Sequence, residues 1–221
     1  MAVRAAVRAH VMGARLATCP PETAADVRHE AKSYFDLALA LLLTADARLV
    51  AIGGFSGSGK TTVAAAVAAA VGAPPGARVL NSDRIRKRMH GCPPGERLPA
   101  AAYRPVVSQA VYREMQMLAF QALKLGVSVI VDAVFDREPD RDAIRRIAET
   151  TGATFLGIWL ETPAPVLQRR VAARIGGPSD ATGDVLLMQL KHGCGELDWE
   201  MIPTDGGLDT TVEQVKRIAG A

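Results

Sequence analysis

The sequence has no long apolar run. Uninterrupted apolar stretches such as residues 37–43 are much shorter than the roughly 20 residues that a helix spanning a bilayer needs. Arg4, Arg8 and Arg15 interrupt the N-terminal residues, which therefore lack the apolar core of a secretory signal. We expect no membrane association and a cytoplasmic protein.

Cysteine and aromatic residues are also scarce. Cys19, Cys92 and Cys194 lie far apart and form no CxxC pair, which indicates neither a disulfide framework nor a zinc site and fits a reducing cytosol. Aromatic residues make up 5% of the chain and do not alternate with basic residues, so a base-stacking surface is not expected. The net charge of +3 is too small to indicate nucleic-acid binding by itself.

The 221 residues suit one α/β domain with a short appendage. Residues 1–18 have a helical composition, two prolines then interrupt the helix, and apolar residues recur at helical spacing over residues 24–43. We assign residues 1–47 to an N-terminal helical appendage and residues 48–221 to the main domain.

Short apolar runs alternate with helical stretches in the main domain. The candidate strands are 49–52, 78–80, 127–131, 154–160 and a weaker 199–202, and the candidate helices are 61–71, 103–125, 137–150, 163–174 and 210–219. This alternation predicts an α/β fold of three layers, in which a parallel sheet of about five strands has helices on both faces.

A glycine-rich segment follows the first predicted strand and precedes a helix. It reads Gly54-Phe55-Ser56-Gly57-Ser58-Gly59-Lys60-Thr61, the phosphate-loop pattern of P-loop NTPases. Its glycines let backbone amides surround the β-phosphate of a nucleotide at a helix N-terminus. The expected ATP site consists of Gly54, Ser56, Gly57, Ser58, Gly59, Lys60, Thr61 and Thr62. We expect Lys60 to reach the β- and γ-phosphates and the Thr61 hydroxyl to bind Mg²⁺.

Two carboxylates follow predicted strands, at the edge where a parallel sheet binds its ligands. Asp83 comes just after the second strand, and we expect it to act as general base for an attacking hydroxyl. A helix N-cap is the alternative role for Asp83. Asp132 ends the third strand, and we expect it to contact substrate or bind Mg²⁺ beside the phosphate loop.

Basic residues form two groups near these motifs. In the cluster at residues 84–88 we select Arg86 as the contact for an acceptor molecule, and we expect the others to share one side of a helix. Arg170 and Arg174 precede a Gly-Pro loop, and we expect them to close over the nucleotide and stabilise charge on the transferring phosphoryl group. Solvated helix charge is the alternative for both groups.

These motifs together resemble the small P-loop kinases, a group that includes the kinase domain of polynucleotide kinase, zeta toxins, chloramphenicol phosphotransferase and gluconate kinase. In that group a strand after the phosphate loop ends in Asp with Arg three positions later, as Asp83 and Arg86 do here. An arginine-bearing lid follows, matched by Arg170 and Arg174. The resemblance implies a catalytic base, an acceptor contact and a lid.

A second likeness covers nearly the whole chain. The segments 29–31, 49–61, 82–88, 131–135, 179–181 and 197–199 are similar to the C-terminal AAA-type ATPase domain that is fused behind an aminoglycoside-phosphotransferase-like domain. In that arrangement residues 1–47 correspond to the junction between the two domains.

The sequence thus predicts an ATP-dependent kinase that uses Mg²⁺ and transfers the γ-phosphate to a hydroxyl of a small molecule, such as an antibiotic, a sugar or a nucleotide. Two alternatives stay open. One is a kinase for the 5′-hydroxyl of a polynucleotide, suggested by the basic cluster. The other is a nucleotide-responsive ATPase module that regulates a partner, suggested by the likeness to half of a two-domain protein. Acceptor pockets vary independently of the phosphate loop, so the sequence identifies neither the acceptor nor the oligomeric state.

Overall fold

The computed structural model describes residues 1–42, 46–173 and 179–220. The chain forms two compact units, one made of Met1–Ala45 with Ala73–Pro75 and the other of Asp46–Gly72 with Gly76–Ala221. None of the helices in the described ranges is both long and apolar enough to cross a membrane.

The first unit is built on a pair of helices, α1 (Ala2–Arg15) and α2 (Ala24–Ala40), with a short 3-10 turn before α2. Arg8 of α1 donates a hydrogen bond of 2.8 Å to the Tyr34 hydroxyl of α2, and its guanidinium lies 5.4 Å from the centre of the Tyr34 ring. Both helices predicted for the N-terminal segment are therefore present.

The second unit alternates strands and helices. Its elements are β1 (Arg48–Gly53), α3 (Lys60–Val67), β2 (Arg78–Asn81), α4 (Ser82–Met89), α5 (Pro105–Lys124), β3 (Val129–Asp132), α6 (Glu138–Thr151), β4 (Thr154–Glu161), α7 (Ala164–Ala172), α8 (Gly183–His192), β5 (Glu200–Pro203) and α9 (Leu208–Ala219), with 3-10 turns at Ala68–Ala70 and Ala100–Tyr103.

The five strands form one parallel sheet in the order β2-β3-β1-β4-β5. In its register Asp132 at the end of β3 pairs with Asn81 at the end of β2 and with Ile52 near the end of β1. The carboxyl ends of the three strands that precede the glycine loop, α4 and α6 therefore meet at one edge. The predicted parallel sheet is confirmed.

Alternate residues of the central strand β1 pack on opposite faces of the sheet. Leu49 and Ala51 belong to a core shared with α4, α5 and α6, whereas Val50 and Ile52 belong to a core shared with α3 and α9. All four side chains are at most 1% exposed, so the central strand is buried on both faces. The three-layer arrangement predicted from the sequence is confirmed.

Helix α8 was not predicted from the sequence. Its apolar residues 185–188 are consecutive rather than spaced on one face. Leu186 alone among the residues of α8 is fully buried, and Leu190 is partly buried against the same small core. The hydroxyl of Thr182 caps the helix by accepting from the Val185 amide. A helix with such a narrow buried stripe gives little periodicity to detect.

Candidate active site

The glycine-rich loop joins β1 to α3, as its position in the sequence requires. Gly59, with φ of 93°, is the N-terminal cap of α3, in a left-handed conformation that favours glycine. A Cβ on Gly54 would lie 2.7 Å from the Ser58 hydroxyl. The loop conformation thus depends on these glycines, as expected for a loop that turns its amides toward an anion.

Helices α7 and α8 hold the loop from outside the sheet. Phe55 packs against the small core formed by Leu167 and its neighbours, and its ring meets Trp159 edge to face at 5.3 Å. The Ser56 amide donates to the side-chain oxygen of Gln189 on α8 at 2.9 Å. Through these contacts the loop is fixed by elements more than 100 residues away in sequence.

The Lys60 ammonium lies over the loop itself. It donates to the carbonyl of Phe55 at 3.0 Å and lies 3.5 Å from the Ser58 hydroxyl. Its position at the start of α3 keeps a cation beside the loop amides, where phosphate oxygens would be held.

Thr61, Asn81 and Asp132 form a polar cluster at the sheet edge. The Asn81 amide donates to an Asp132 oxygen at 2.6 Å and lies 3.3 Å from the Thr61 hydroxyl. Asp132 is 2% exposed. A hydroxyl and a carboxylate are oxygen donors of the kind that Mg²⁺ prefers, and Mg²⁺ usually takes only one or two protein ligands. The Thr61 hydroxyl and the Asp132 carboxylate therefore fit Mg²⁺ as a donor pair. Within the described ranges no group of three or more His, Cys, Asp or Glu side chains could hold a metal.

Asp83 is the second residue of α4 and is partly buried. The helix is capped instead by Asn81, whose side-chain oxygen accepts from the Arg84 amide at 2.9 Å. The alternative role of Asp83 as the N-cap is therefore wrong, because the cap lies two residues earlier. Asp83 does not cap the helix and instead lines the cavity described below.

Burial raises the pKa of Asp83 above its ordinary value. A hydrogen bond from the Ser179 side chain and the charges of Arg86 and Lys60 oppose this rise, while the charge of Asp132 adds to it. A carboxyl group with a raised pKa is a better proton acceptor once ionised than one with an ordinary pKa.

A cavity of about 590 Å³ opens between the loop, the sheet edge and helices α4, α5 and α8. Of the predicted site residues, those that line it are Ser56, Gly57, Gly59, Lys60, Thr61, Thr62, Asp83, Arg86 and Asp132. Its wall away from the loop includes Tyr103, Ser108, Gln109, Tyr112, Asp136, Asp140 and Ser179. The cavity therefore has a phosphate-loop half and a second half lined by mixed polar side chains.

Arg86 lies in the wall of the second half and is 6% exposed. Its guanidinium donates to the Ala102 carbonyl at 2.8 Å and to the Ser108 hydroxyl at 3.3 Å, and it lies 4.7 Å from the centre of the Tyr103 ring. Its Nε has no hydrogen-bond partner among the described residues. The guanidinium is thus held in the cavity wall by a carbonyl, a hydroxyl and an aromatic ring.

The other cationic residues of the basic cluster differ in their exposure on α4. Lys87 is 2% exposed and pairs with Asp180 at 3.0 Å, whereas Arg88 is exposed and pairs with Glu114. The alternative interpretation of solvated helix charge is therefore wrong for Lys87, whose ammonium also donates to the Pro94 carbonyl. Burial of Lys87 and the pairing of Arg88 with Glu114 thus reduce the basic surface that the cluster presents.

Arg170 is not among the described side chains that line the cavity. It is exposed and donates to two carbonyls, that of Thr204 at 3.0 Å and, more weakly, that of Gly57 in the loop at 3.4 Å. Its guanidinium thus braces the backbone of the loop. Arg174 lies outside the described residues.

Several residues of the site were not selected from the sequence. They are Asn81, Tyr103, Asp180 and Gln189, which contact Asp132, Arg86, Lys87 and the loop respectively. Asn81 carried a detectable signal, since a polar residue ends β2 just before Asp83. Asp180 lies in the segment 179–181, which shares the likeness to the AAA-type ATPase domain but was given no role. Tyr103 and Gln189 lie in segments with no motif, so only the fold brings them to the site.

Comparison with protein families matches residues 49–192 to the AAA domain. An uncharacterised protein of Mycobacterium tuberculosis is 34% identical over 227 residues, which cover 99% of this chain and 43% of that protein. The chain thus spans less than half the length of this relative.

Two solved structures have the same fold. A sugar kinase from Janibacter sp. superposes with a TM-score of 0.53 at 23% identity, over 76% of this chain and 92% of that one. The APS kinase of Mycobacterium tuberculosis, solved in complex with AMPPNP and APS, superposes with a TM-score of 0.57 at 17% identity, over 80% of this chain and 99% of that one. At these identities the likeness shows the fold, which is that of P-loop kinases.

Proposed function

The chain belongs to the AAA domain family, and from this membership and the geometry of its cavity we propose that it is an ATP-dependent kinase for a hydroxyl group of a small molecule. A single observation carries the proposal: the phosphate loop, the Thr61 and Asp132 pair and the carboxylate of Asp83 all face one cavity. A phosphoryl donor and an acceptor hydroxyl would therefore meet between Lys60 and Asp83.

In the proposed reaction the acceptor oxygen forms a bond to the γ-phosphorus of ATP, and the bond from that phosphorus to the bridging oxygen of ADP breaks. Asp83 takes the proton of the hydroxyl, which its position and raised pKa favour. Lys60 and the loop amides hold the β- and γ-phosphates in line for transfer.

We further propose that Thr61 and Asp132 hold Mg²⁺. When bound there, the ion would neutralise charge on the phosphate oxygens. Asn81 supports this role because its amide fixes the Asp132 carboxylate and contacts the Thr61 hydroxyl.

Arg170 is proposed, as the sequence predicted, to stabilise charge on the transferring group. Its bonds to the Gly57 and Thr204 carbonyls keep its cation beside the loop. Arg174 has the same proposed role on sequence grounds alone.

The second half of the cavity, which we call the acceptor half, favours a small molecule over a polynucleotide. A polyanion needs a continuous basic surface, but Lys87 is buried against Asp180 and Arg88 is paired with Glu114. The buried cation of Arg86, together with the hydroxyl, amide and carboxylate groups around the cavity, suits a compact acceptor with several polar groups, such as a sugar or an antibiotic. A cytoplasmic location is proposed with this function, since the three cysteines are free and ATP is a cytoplasmic substrate.

The purified protein, ATP and Mg²⁺ would be incubated with a panel of sugars, nucleosides and hydroxylated antibiotics, and with an oligonucleotide that has a 5′-hydroxyl. ADP formation and the mass of each product would be measured. We expect one compound class to raise ADP formation and to gain a phosphoryl group, and Lys60→Ala to abolish both. Acceptor-independent hydrolysis alone, or transfer to the oligonucleotide alone, would contradict the proposal.

A further inference from the structure

The carboxylate of Asp180 joins three separate parts of the second unit. One oxygen pairs with the Lys87 ammonium of α4 at 3.0 Å. The other accepts from the Leu98 amide at 2.9 Å and from the Tyr103 hydroxyl at 2.8 Å. A single side chain thus ties the segment 179–181, helix α4 and the residues between α4 and α5.

The residues between α4 and α5 are held at a second point by the same ion pair. The Lys87 ammonium also donates to the Pro94 carbonyl at 2.9 Å. We call residues 92–103 the cover segment. The cover segment is therefore bonded to Lys87 near its start and to Asp180 near its end, and both side chains of the pair are less than 10% exposed.

Two groups of the acceptor half depend on this arrangement. The Tyr103 ring, at the end of the cover segment, lies 4.7 Å from the Arg86 guanidinium. Ser179, next to Asp180 in sequence, hydrogen-bonds the Asp83 carboxyl group. Asp180 thus bonds the hydroxyl of the tyrosine whose ring lies against Arg86, and it is the chain neighbour of the serine that contacts the proposed base. Asp180 itself contacts neither Arg86 nor Asp83 through the bonds described above.

The bonds of Asp180 favour its charged form. Burial by itself raises the pKa of Asp180, but the hydrogen bonds from Leu98, Tyr103 and Lys87 and the charge of Lys87 lower it below its ordinary value. A buried ion pair stabilises a structure only when further hydrogen bonds satisfy its remaining atoms, and here both oxygens are satisfied. The bonds of this ion pair therefore favour one conformation of the cover segment.

We propose that Asp180 is a positioning residue, which fixes the cover segment so that Tyr103 and Arg86 form the acceptor-binding wall and Ser179 meets Asp83. The inference rests on the proposed kinase function. A purely structural role for Asp180 would affect the amount of folded protein but not the affinity of that protein for its acceptor.

The first test measures the cover segment without any acceptor. Hydrogen exchange of the peptides that contain residues 92–103 would be compared between the wild-type protein, Asp180→Asn and the matched control Asp184→Asn, whose side chain is exposed on α8. We expect faster exchange in the cover segment of Asp180→Asn, including the Leu98 amide, and unchanged exchange in the phosphate loop and in the control. Unchanged exchange of the cover segment would overturn the inference while leaving the proposed function intact.

The second test uses an acceptor found in the screen described above. We expect Asp180→Asn to raise the acceptor KM roughly tenfold, the equivalent of one lost hydrogen bond, with the KM for ATP unchanged. Tyr103→Phe removes one hydroxyl and keeps the ring over Arg86, so it should fold normally and raise the acceptor KM by a smaller factor of about three. Tyr34→Phe, in the first unit, is its control.

The outcomes separate the two proposals. An unchanged acceptor KM in both variants would overturn the positioning role of Asp180, even if exchange in the cover segment increases. If no compound is phosphorylated, the proposed function fails and the acceptor role of Asp180 fails with it, while the exchange data still report whether the carboxylate holds the cover segment.

Discussion

The side-chain amide of Asn81 donates to the carboxylate of Asp132 across 2.6 Å. The oxygen of the same amide caps α4 by accepting from the Arg84 amide. One side chain at the end of β2 thus orients a proposed Mg²⁺ ligand and starts the helix that carries Asp83. The geometry of the two halves of the cavity is coupled through this residue.

Replacing Asn81 should therefore affect both stability and metal dependence. We expect Asn81→Ala to lower the free energy of unfolding by about 1 to 3 kcal/mol, because a cap is lost and a buried carboxylate loses a partner. The Mg²⁺ concentration for half-maximal activity should rise. Thr182→Ala removes the cap of α8 and is the control, since it should cost about 1 kcal/mol or less and leave the Mg²⁺ dependence unchanged. Equal Mg²⁺ dependence in both variants would argue against the role of Asn81.

The pKa of Asp83 predicts the acid limb of the pH profile. Burial raises this pKa, and a base must be deprotonated to act, so kcat/KM should fall as the pH drops through the raised value. Ser179→Ala removes a hydrogen bond that lowers the pKa, and the acid limb should therefore move to higher pH. Ser33→Ala, which loses an exposed hydroxyl of α2, should leave the profile in place. A shift to lower pH in Ser179→Ala would contradict the assignment.

Arg170 offers a comparison with its neighbour Arg169. Both are exposed on α7, but Arg170 bonds the Gly57 and Thr204 carbonyls. Because the charge of Arg170 is proposed to act on the transferring group, we expect Arg170→Ala to lower kcat by about 10²-fold or more and Arg169→Ala to change kcat less than about twofold. A raised KM for ATP with an unchanged kcat would show instead that Arg170 only braces the loop.

Gly157 of β4 allows a test of how tightly the sheet packs against the Trp199 ring. A Cβ on Gly157 would lie 2.5 Å from the Trp199 ring, and the backbone there needs no special conformation. We expect Gly157→Ala to destabilise the protein by about 1 to 3 kcal/mol through overpacking. Gly183→Ala, where an added Cβ would meet nothing within 4 Å, should change the stability by no more than about 0.5 kcal/mol. Denaturant unfolding of both variants checks this.

The sequence predicted the parts of the fold that depend on local pattern. The parallel sheet followed from apolar runs that alternate with helical stretches, and the positions of Asp83 and Asp132 followed from the rule that strand ends in a parallel sheet share one edge. The structure agrees with that rule, because Asp132 pairs with Asn81 and Ile52 at the ends of the neighbouring strands. These features need no knowledge of distant contacts.

The contacts missed from the sequence join residues that are far apart along the chain. Lys87 and Asp180 are more than 90 residues apart, and on its own Lys87 looks like one more solvated charge on a helix. Gln189 accepts a hydrogen bond from the Ser56 amide, but it lies on α8, where Leu186 is the one fully buried residue and the apolar pattern is weak. Such pairs are determined by how loops fold over the sheet edge, which periodicity and motif spacing do not encode.

The most direct test of the central proposal is the transfer of labelled γ-phosphate from ATP to the acceptor by Asp83→Asn, with nucleotide affinity measured in parallel. We expect kcat to fall by about 10² to 10⁴-fold, as for loss of a general base, with the Kd for ATP unchanged and with Asp36→Asn on α2 as an active control. Transfer by Asp83→Asn at the wild-type rate would contradict the assignment of Asp83 as the base and with it the proposed mechanism.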